Sequence, residues 1–359
     1  MKTTSPILHP SFQLNGLDIS SAEELLNFTD DLLHQGAPYE ISVARFIEQW
    51  LDFSDSVNVI TSGSTGTPKE LNLAKSAMIE SAKATGAYFK LGPGTKALLC
   101  LSADYIAGKM MLVRAMTLGW DLHVVAPEAD ALTEYDNDYD FVAMVPYQVH
   151  HSLSALGKVK KLIVGGGPVS KTLETALQES PVEAFATYGM TETITHIAVR
   201  RINGFAKSTQ FTALPNVNLS LDERSCLVID VPYLTSDPIV TNDIVDLQSA
   251  TSFTWIGRYD HIINSGGVKM NPEEIEAKLT AIDFPFIIAS EKDPALGERV
   301  ILVLENVKGE PIPNYKSAFD QLEKYERPKK MYTLSKFPYT ETGKIKRGDV
   351  LKVLQKYKK

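Results

Sequence analysis

The stretch TSGSTGTPK, from Thr61 to Lys69, directly follows the apolar run 57–60. Its hydroxyl groups, backbone N–H groups and terminal lysine can hold a polyphosphate, and its glycines let the backbone approach the phosphate oxygens. It differs from the P-loop of the common NTPases, because Pro68 stands where that loop has the glycine before its lysine. Clusters of Gly, Ser and Thr are also typical of surface linkers. A linker rarely adjoins an apolar strand, so the stretch favours a phosphate-binding loop.

Composition limits the class of protein. The 359 residues suffice for two or three domains, and the net charge of −8 argues against a general nucleic-acid binder. The two cysteines, Cys100 and Cys226, can form neither a disulfide framework nor a zinc site, which favours a reducing compartment. The start of the chain lacks the apolar core of a signal peptide, and no run approaches a membrane span. We therefore expect a soluble cytoplasmic protein without a nucleic-acid or membrane partner.

The first two thirds of the chain alternate strand-like and helix-like segments, which predicts an α/β fold with a largely parallel sheet. The predicted strands are 97–101, 121–126, 140–146 and 161–167, and the predicted helices are 74–89, 108–118 and 170–179. After Arg200 the segments shorten into strands separated by turns. This pattern predicts a large N-terminal domain, residues 1–258, of layered sheets and helices that ends in a small β subdomain.

The last hundred residues predict a separate, small and mobile α+β domain, residues 259–359. A helix begins after Asn271, which is its predicted N-cap, with Pro272 in the first helical position. The strands PFIIAS and VILVLE follow, and then a helix over 316–323.

Three short motifs are weak when each is taken alone. YGMTE, Tyr188 to Glu192, follows a strand-like segment and could stack a base, bind a phosphate and hold Mg²⁺, although an exposed start of a helix fits it as well. VGGGP, residues 164–168, is a tight turn without the spacing of a dinucleotide fingerprint. VTND places Asp243 after a strand, where it could bind ribose hydroxyls or could simply be a turn aspartate.

Two longer segments are more specific. GRYDHIINSGGVKMNPEEIE runs from Gly257 to Glu276, and FPYTETGKIKR runs from Phe337 to Arg347. In the second, Lys344 follows a glycine in a stretch whose Pro and Gly preclude a regular helix. A lysine on such a loop is a movable charge suited to an anionic transition state.

Together and in this order, these segments resemble the adenylate-forming superfamily, which includes acyl-CoA synthetases, luciferases and peptide adenylation domains. The resemblance covers about five sixths of the chain. The stretches DFVAMVPYQVHHSL and KLIVGGGPVS, together with GRYDHIINSGGVKMNPEEIE, are most similar to the o-succinylbenzoate–CoA ligases of menaquinone synthesis. The resemblance implies a ligase that uses ATP, Mg²⁺ and CoA and forms an acyl-adenylate.

The resemblance also implies roles for individual residues. The groups expected to bind ATP are Thr61, Ser62, Gly63, Ser64, Thr65, Gly66, Lys69, Gly165, Gly166, Tyr188, Gly189, Asp243 and Arg258. Thr191 would contact the α-phosphate and Glu192 would hold the metal ion. Asp260 falls at the hinge position, and Gly266 and Gly267 match the stretch that binds CoA. Lys344 matches the lysine that acts during adenylation.

The residues that form the acyl pocket are the hardest to predict from the sequence. Tyr105 stands where many relatives have a histidine. A second carboxylate on the substrate needs a donor, and the candidates are Lys109, Arg114 and His196, of which Arg114 could equally be a helix-packing residue. The alternatives are a ligase for another aryl or fatty acid, an enzyme that loads a carrier protein, and a non-catalytic nucleotide binder. The sequence does not fix the oligomeric state, and a homodimer is one alternative.

Overall fold

The computed structural model describes residues 8–61, 69–340 and 345–357, without the side chains of Thr61 and Lys69. By their contacts the described residues form two compact units. The first comprises the described part of Met1–Asn218 together with Asp230–Pro238, and the second comprises Leu219–Ile229 and the described part of Ile239–Lys359. The predicted boundary at 258 falls inside the second unit. The start of a moving domain at 259 stays a prediction.

The first unit has the α/β architecture that the alternation predicts. Its strands are β1 (Gln13–Leu14), β2 (Leu17–Asp18), β3 (Ser56–Thr61), β4 (Lys69–Ala74), β5 (Lys96–Leu99), β6 (Asp121–Val124), β7 (Tyr139–Met144), β8 (Val159–Val164), β9 (Glu183–Gly189), β10 (His196–Arg201) and β11 (Phe211–Ala213). Its helices are α1 (Ala22–Gln35), α2 (Pro38–Leu51), α3 (Lys75–Phe89), α4 (Ile106–Leu118), α5 (Pro146–His151) and α6 (Lys171–Gln178).

The main sheet of this unit runs in the order β11-β10-β9-β8-β7-β5-β6-β1-β2. The central strands β6, β5, β7, β8 and β9 are parallel to one another, and β10 and β11 continue the sheet in antiparallel pairs. Parallel strands are covered on both faces, which explains why their sequences are nearly continuous apolar runs. Leu98, Val142, Leu162 and Ala184 lie in one buried cluster of this sheet.

The N-terminal hairpin and helices complete the unit. Ser21 caps α1 by accepting a hydrogen bond from the backbone N–H of Glu24. Pro38 occupies the first turn of α2, whose Phe46 and Trp50 are buried. Strands β3 and β4 form a separate antiparallel pair that ends at Thr61 and Lys69.

The second unit combines an antiparallel ribbon with a small α+β sheet. Its strands are β12 (Asn218–Leu221), β13 (Cys226–Asp230), β14 (Ile239–Ser249), β15 (Ser252–Arg258), β16 (Ile263–Ser265), β17 (Val268–Met270), β18 (Phe286–Asp293), β19 (Gly297–Glu305) and β20 (Lys330–Leu334). Its helices are α7 (Pro272–Lys278), α8 (Lys316–Phe319) and α9 (Arg347–Tyr357). Asn271 caps α7 as predicted, whereas the helix predicted over 316–323 ends at Phe319.

Strands β18 and β19 form the centre of the small sheet. Alternate residues of these strands enter two different buried clusters: Ile288 and Leu302 face one, and Ile287 and Ile301 face the other. A strand buried on both faces has no polar side, which explains the runs PFIIAS and VILVLE.

Candidate functional site

Several predicted nucleotide-binding residues meet at one edge of the main sheet. Gly165 and Gly166 directly follow β8, and Tyr188 and Gly189 are the last two residues of β9. Because β8 and β9 are parallel neighbours, their carboxyl ends lie side by side. Open parallel sheets bind ligands at such ends. The structure therefore brings these four predicted residues together.

Gly165 leaves room for the Thr187 hydroxyl at the neighbouring strand end. A Cβ atom at this position would lie 2.5 Å from Oγ1 of Thr187, which itself donates a hydrogen bond to the carbonyl of Val164 at 3.3 Å. The next residue, Gly166, has φ of +77°, a conformation that side chains disfavour. Gly165 thus lets the ends of β8 and β9 lie close together, and Gly166 allows the chain to turn directly after β8.

A compact turn follows Gly189 and carries the two residues predicted to meet the phosphate and the metal. Thr191–Thr193 form a single 3₁₀ turn, in which Glu192 is exposed and Thr191 is half-buried. The Glu192 carboxylate makes no ion pair with any described residue. One free carboxylate suits Mg²⁺, which takes most of its remaining ligands from water and phosphate oxygens.

Arg114 and His196, two of the four acyl-pocket candidates, lie together in the first unit. Arg114 on α4 is 1% exposed, and its Nη2 is 3.5 Å from Nδ1 of His196 at the start of β10. Its guanidinium also donates to Oγ1 of Thr85 at 3.3 Å and to Oγ1 of Thr195 at 3.1 Å. All of these partners are neutral side chains. Among the described residues no carboxylate lies within 4 Å of the guanidinium.

Burial dominates the electrostatics of this cluster. It lowers the pKa of Arg114 to about 9, so that the guanidinium is still charged at neutral pH. Burial, and then the charge of Arg114, hold the pKa of His196 well below its usual value of 6.5. His196 is therefore neutral at pH 7. The cluster is one buried cation surrounded by neutral hydrogen-bonding groups.

The other two candidates lie apart from this cluster. Lys109 is five residues before Arg114 on α4, which turns the two side chains about 140° apart around the helix. The Lys109 ammonium lies 4.9 Å from the ring centre of Phe46, and burial lowers its pKa against the opposing charge of Asp104. Tyr105 stands one residue before α4 with 42% of its surface exposed.

The second unit holds the predicted ribose acid. Asp243 is paired with Arg258 across β14 and β15, is 7% exposed, and accepts a hydrogen bond from Nε1 of Trp255 at 3.2 Å. The prediction that it follows a strand is wrong, because it lies inside β14. Burial there alternates through Thr241, Asp243 and Val245, which is the period of a continuing strand.

Arg258 binds mainly to the predicted hinge residue. Its Nε and Nη2 donate to the two carboxylate oxygens of Asp260 at 3.0 and 3.1 Å, whereas its Nη1 is 3.7 Å from Asp243. Burial would raise the pKa of Asp260, but the hydrogen bonds and charge of Arg258 hold it below its usual value. Gly266 and Gly267 form the turn between β16 and β17 with φ of +60° and +85°, a conformation typical of a two-residue hairpin.

The loop Ser62–Pro68 and Lys344 lie outside the described residues. Of the predicted phosphate loop, only the ends are placed: Thr61 and Lys69 form the last pair of β3 and β4. Tyr339 pairs with Ile345 on either side of the segment that contains Lys344.

The sequence pattern of the AMP-binding enzyme family matches residues 18–231. This is more than half of the chain. The chain belongs to the AMP-binding enzyme family.

Curated relatives of this AMP-binding enzyme include 2-succinylbenzoate–CoA ligases. The probable 2-succinylbenzoate–CoA ligase of Mycobacterium tuberculosis is 25% identical over 340 residues, which cover 85% of this chain and 86% of that protein. The 2-succinylbenzoate–CoA ligase of Lactococcus lactis is 24% identical over 362 residues, which cover 90% of this chain and 79% of that protein.

Solved structures show the same fold. An acyl-CoA synthetase (AMP-forming)/AMP-acid ligase II-like protein from Dyadobacter fermentans is 35% identical, with a TM-score of 0.62 over 91% of this chain and 98% of that chain. The o-succinylbenzoate coenzyme A synthetase from Bacillus subtilis, in complex with ATP and magnesium ion, is 18% identical. Its TM-score is 0.69, over 82% of this chain and 69% of that chain. The predicted superfamily and the α/β fold are thereby confirmed.

Two other kinds of feature are absent from the described residues of this AMP-binding enzyme. No helix among them is long and apolar enough to cross a membrane. Within the same residues, no group of three or more His, Cys, Asp and Glu side chains is placed to hold a metal ion.

Sequence reasoning missed Thr85 and Thr195 as partners of Arg114, since no motif marks either residue.

Proposed function

We propose that this AMP-binding enzyme is an o-succinylbenzoate–CoA ligase. The reaction would join o-succinylbenzoate to CoA and convert ATP to AMP and pyrophosphate. The family match and the curated 2-succinylbenzoate–CoA ligases, at 24–25% identity, support the class of reaction. The choice of acid rests on the described residues of the first unit.

The single observation that carries the proposal is the buried charge of Arg114, which has no acidic partner among the described residues. A buried cation that has only neutral partners is costly, and it rejects ligands that leave it unpaired. o-Succinylbenzoate has two carboxylates, and only the aliphatic one is activated. Its aromatic carboxylate would form the missing ion pair with the Arg114 guanidinium, and the neutral His196 beside it would donate or accept a hydrogen bond without repelling the cation.

In the first half-reaction, an oxygen of the aliphatic carboxylate attacks the α-phosphorus of ATP. A new P–O bond forms, the bond to pyrophosphate breaks, and an acyl-adenylate results. Thr191 would donate to the α-phosphate, and Lys344 would stabilise the charge that develops on it. Mg²⁺ held by Glu192 would supply Lewis-acid stabilisation of the same phosphate oxygens.

In the second half-reaction, the sulfur of CoA attacks the acyl carbon. A C–S bond forms, the C–O bond to AMP breaks, and the thiol proton is released to solvent. AMP is a far better leaving group than the oxide of a free carboxylate, which is the chemical reason for the adenylate. The two steps need different groups at one acyl carbon, so we propose that the segment after Asp260 moves between them.

The test is a panel of acids that differ by one group. The most informative pair is o-succinylbenzoate and 4-oxo-4-phenylbutanoate, which is the same molecule without the aromatic carboxylate. Benzoate and a medium-chain fatty acid complete the panel. Pyrophosphate release is measured with ATP and Mg²⁺, with and without CoA, and the thioester product is identified by mass.

The expected result is a kcat/KM for o-succinylbenzoate at least about a hundredfold above that for 4-oxo-4-phenylbutanoate, since a site that pairs a polar group rejects the analogue that lacks it. Equal kcat/KM values for the two acids would refute the choice of substrate, but not the proposal that the protein is an acid–CoA ligase. Adenylation without any thioester would favour transfer to a carrier protein. Nucleotide binding without pyrophosphate release from any acid would favour a non-catalytic binder.

A further inference from the structure

The hydroxyl of Thr193 stabilises the turn between β9 and β10 by hydrogen bonds. Thr193 is 2% exposed, and its Oγ1 accepts a hydrogen bond from the backbone N–H of Met190 at 2.9 Å. The same Oγ1 lies 2.8 Å from the carbonyl of Thr195 and 2.9 Å from that of Met190, to either of which it can donate its one proton. A single side chain thus ties the entry of the turn to its exit.

The residue after Thr193 is held in a strained conformation. Ile194 is fully buried and has φ of 64° and ψ of −59°. The backbone N–H of Thr195 donates to the carbonyl of Thr193 at 2.7 Å, which closes a three-residue γ-turn around Ile194. This turn is rare, and a positive φ is least favourable for a β-branched residue. Such strain persists only where the surrounding contacts fix it.

Gly189 supplies one of those contacts. A Cβ atom at Gly189 would lie 2.4 Å from the carbonyl oxygen of Thr195 and 2.7 Å from Cα of His196. The end of β9 therefore passes directly against the exit of the turn. Only a glycine permits this distance, and the hydroxyl of Thr193 supplies the polar contact on the other side.

The turn carries two sets of functional candidates. Thr191 and Glu192, on its first half, are the residues proposed to meet the α-phosphate and Mg²⁺. Thr195 and His196, on its exit, contact the guanidinium of Arg114. The conformation at Thr193 and Ile194 sets the direction in which both halves project.

We infer that Thr193 is a positioning residue for adenylation. Through its hydroxyl it orients the carboxylate of Glu192 and the hydroxyl of Thr191, and it does not itself touch the nucleotide. The inference rests on the proposed function for the roles of Thr191 and Glu192. Since the metal and the α-phosphate act in the first half-reaction, the effect of Thr193 falls on that step.

The experiment compares Thr193→Val with Thr193→Ser. Valine keeps the shape and lacks the hydroxyl, whereas serine keeps the hydroxyl and lacks the methyl group. Adenylation by Thr193→Val should be slower by about ten- to a hundredfold, the usual consequence of a displaced catalytic group. Its half-saturating Mg²⁺ concentration should rise by about tenfold or more, because a carboxylate that is turned away binds the ion less well.

The other measurements separate positioning from loss of stability. Thr193→Ser should stay within about twofold of the wild type in both quantities, since its hydroxyl makes the same bonds. Thioester formation from supplied acyl-adenylate and CoA should be nearly unchanged in both variants. Thr29→Val is the matched control: Thr29 is fully buried and donates to the carbonyl of Leu26 at 2.8 Å in α1. It should lower the melting temperature and leave the Mg²⁺ dependence unchanged.

Equal adenylation rates and equal Mg²⁺ dependence in the Val and Ser variants would overturn the inference. If Thr193→Val does not fold, Thr193→Ala is compared with Thr193→Ser in the same way. If the wild type activates no acid, the proposed function fails, and calorimetric titration with Mg²⁺ and ATP then decides whether Thr193 orients the carboxylate of Glu192 for the metal ion. Weaker binding by the Val variant alone would support the inference, and equal binding would contradict it.

Discussion

Replacement of Arg114 by methionine tests whether its charge serves the fold or the substrate. Methionine fills a similar volume, and the guanidinium has no acidic partner among the described residues that would be left behind. The pKa of Arg114 is lowered by burial from its usual 12.5 to about 9, and this difference corresponds to roughly 5 kcal/mol of unfavourable charge burial. The cost is present at every pH below about 9, where the buried guanidinium is charged.

The interactions that the variant loses are smaller than this cost. The guanidinium donates to the hydroxyls of Thr85 at 3.3 Å and Thr195 at 3.1 Å, which are long distances for a charged donor. Two such bonds therefore contribute about 3 kcal/mol together, the low end of the usual range for charged groups. Thr85 keeps a partner, because its hydroxyl also donates to the carbonyl of Ser81 at 3.1 Å. We therefore expect Arg114→Met to leave the free energy of unfolding unchanged or to raise it by up to ~2 kcal/mol.

Whereas the stability should stay the same or rise, the activity with o-succinylbenzoate should fall. Without the guanidinium, kcat/KM for o-succinylbenzoate should fall by on the order of a hundredfold or more, the usual cost of removing one member of a buried charged pair. The value for 4-oxo-4-phenylbutanoate should stay the same or rise. The preference for the second carboxylate would then disappear in a protein that is at least as stable as the wild type.

The assays are urea unfolding without ligand and initial rates of pyrophosphate release with both acids. Arg200→Met is the matched control, because Arg200 is also largely buried but has an acidic partner, with Nη2 2.5 Å from Oε1 of Glu174. This control should lose stability and keep the preference between the acids. A loss of more than about 2 kcal/mol in Arg114→Met, or an unchanged ratio of kcat/KM values, would show that Arg114 serves the fold.

Three further predictions concern other residues. Since the pKa of folded His196 lies well below the 6.5 of an unfolded histidine, the stability that it contributes above pH 6.5 should fall at lower pH, by at most about 1.4 kcal/mol per pH unit. Urea midpoints at pH 7.5 and pH 5 should therefore differ less in His196→Gln than in the wild type, and an equal difference would contradict the buried neutral state. Asp260→Pro, which fixes φ at the predicted hinge, should slow one half-reaction more than the other; equal slowing would mean that the hinge lies elsewhere. Lys344→Ala should slow adenylation about a hundredfold or more and largely spare thioester formation from supplied acyl-adenylate, whereas the reverse pattern would assign Lys344 to the CoA step.

Much of the fold could be predicted from the sequence because its signals are local. The strand predicted at 161–167 appears as β8, Val159–Val164, and the helix predicted at 74–89 appears as α3, Lys75–Phe89. The N-cap at Asn271 was predictable because a cap depends only on residues a few positions apart. The strand β14 was harder to predict, since Asn242 and Asp243 are typical turn residues and only their pairing with flanking strands keeps the backbone extended.

The candidate site was predictable only in part, since its decisive contacts join distant positions. Arg114 could be named as a basic candidate, but its hydrogen bond to Thr85 spans 29 residues and its bond to Thr195 spans 81. Burial of the guanidinium and the absence of an acidic partner among the described residues are properties of packing, which one sequence does not show. The strain at Ile194 is similarly invisible, because isoleucine ordinarily indicates extended backbone.

The composition of the Arg114 cluster is suited to the proposed selection of an acid with two carboxylates. A carboxylate of the protein beside Arg114 would neutralise it and remove the reason to bind a second substrate carboxylate. A protonated histidine would add a second buried charge, but burial and Arg114 itself keep His196 neutral. Hydroxyls from Thr85 and Thr195 fix the direction of the guanidinium and leave its charge uncompensated. Under the proposed function, the unfavourable burial of this charge would be relieved when the second carboxylate of the acid binds, and only an acid with a correctly placed second carboxylate would gain that binding energy.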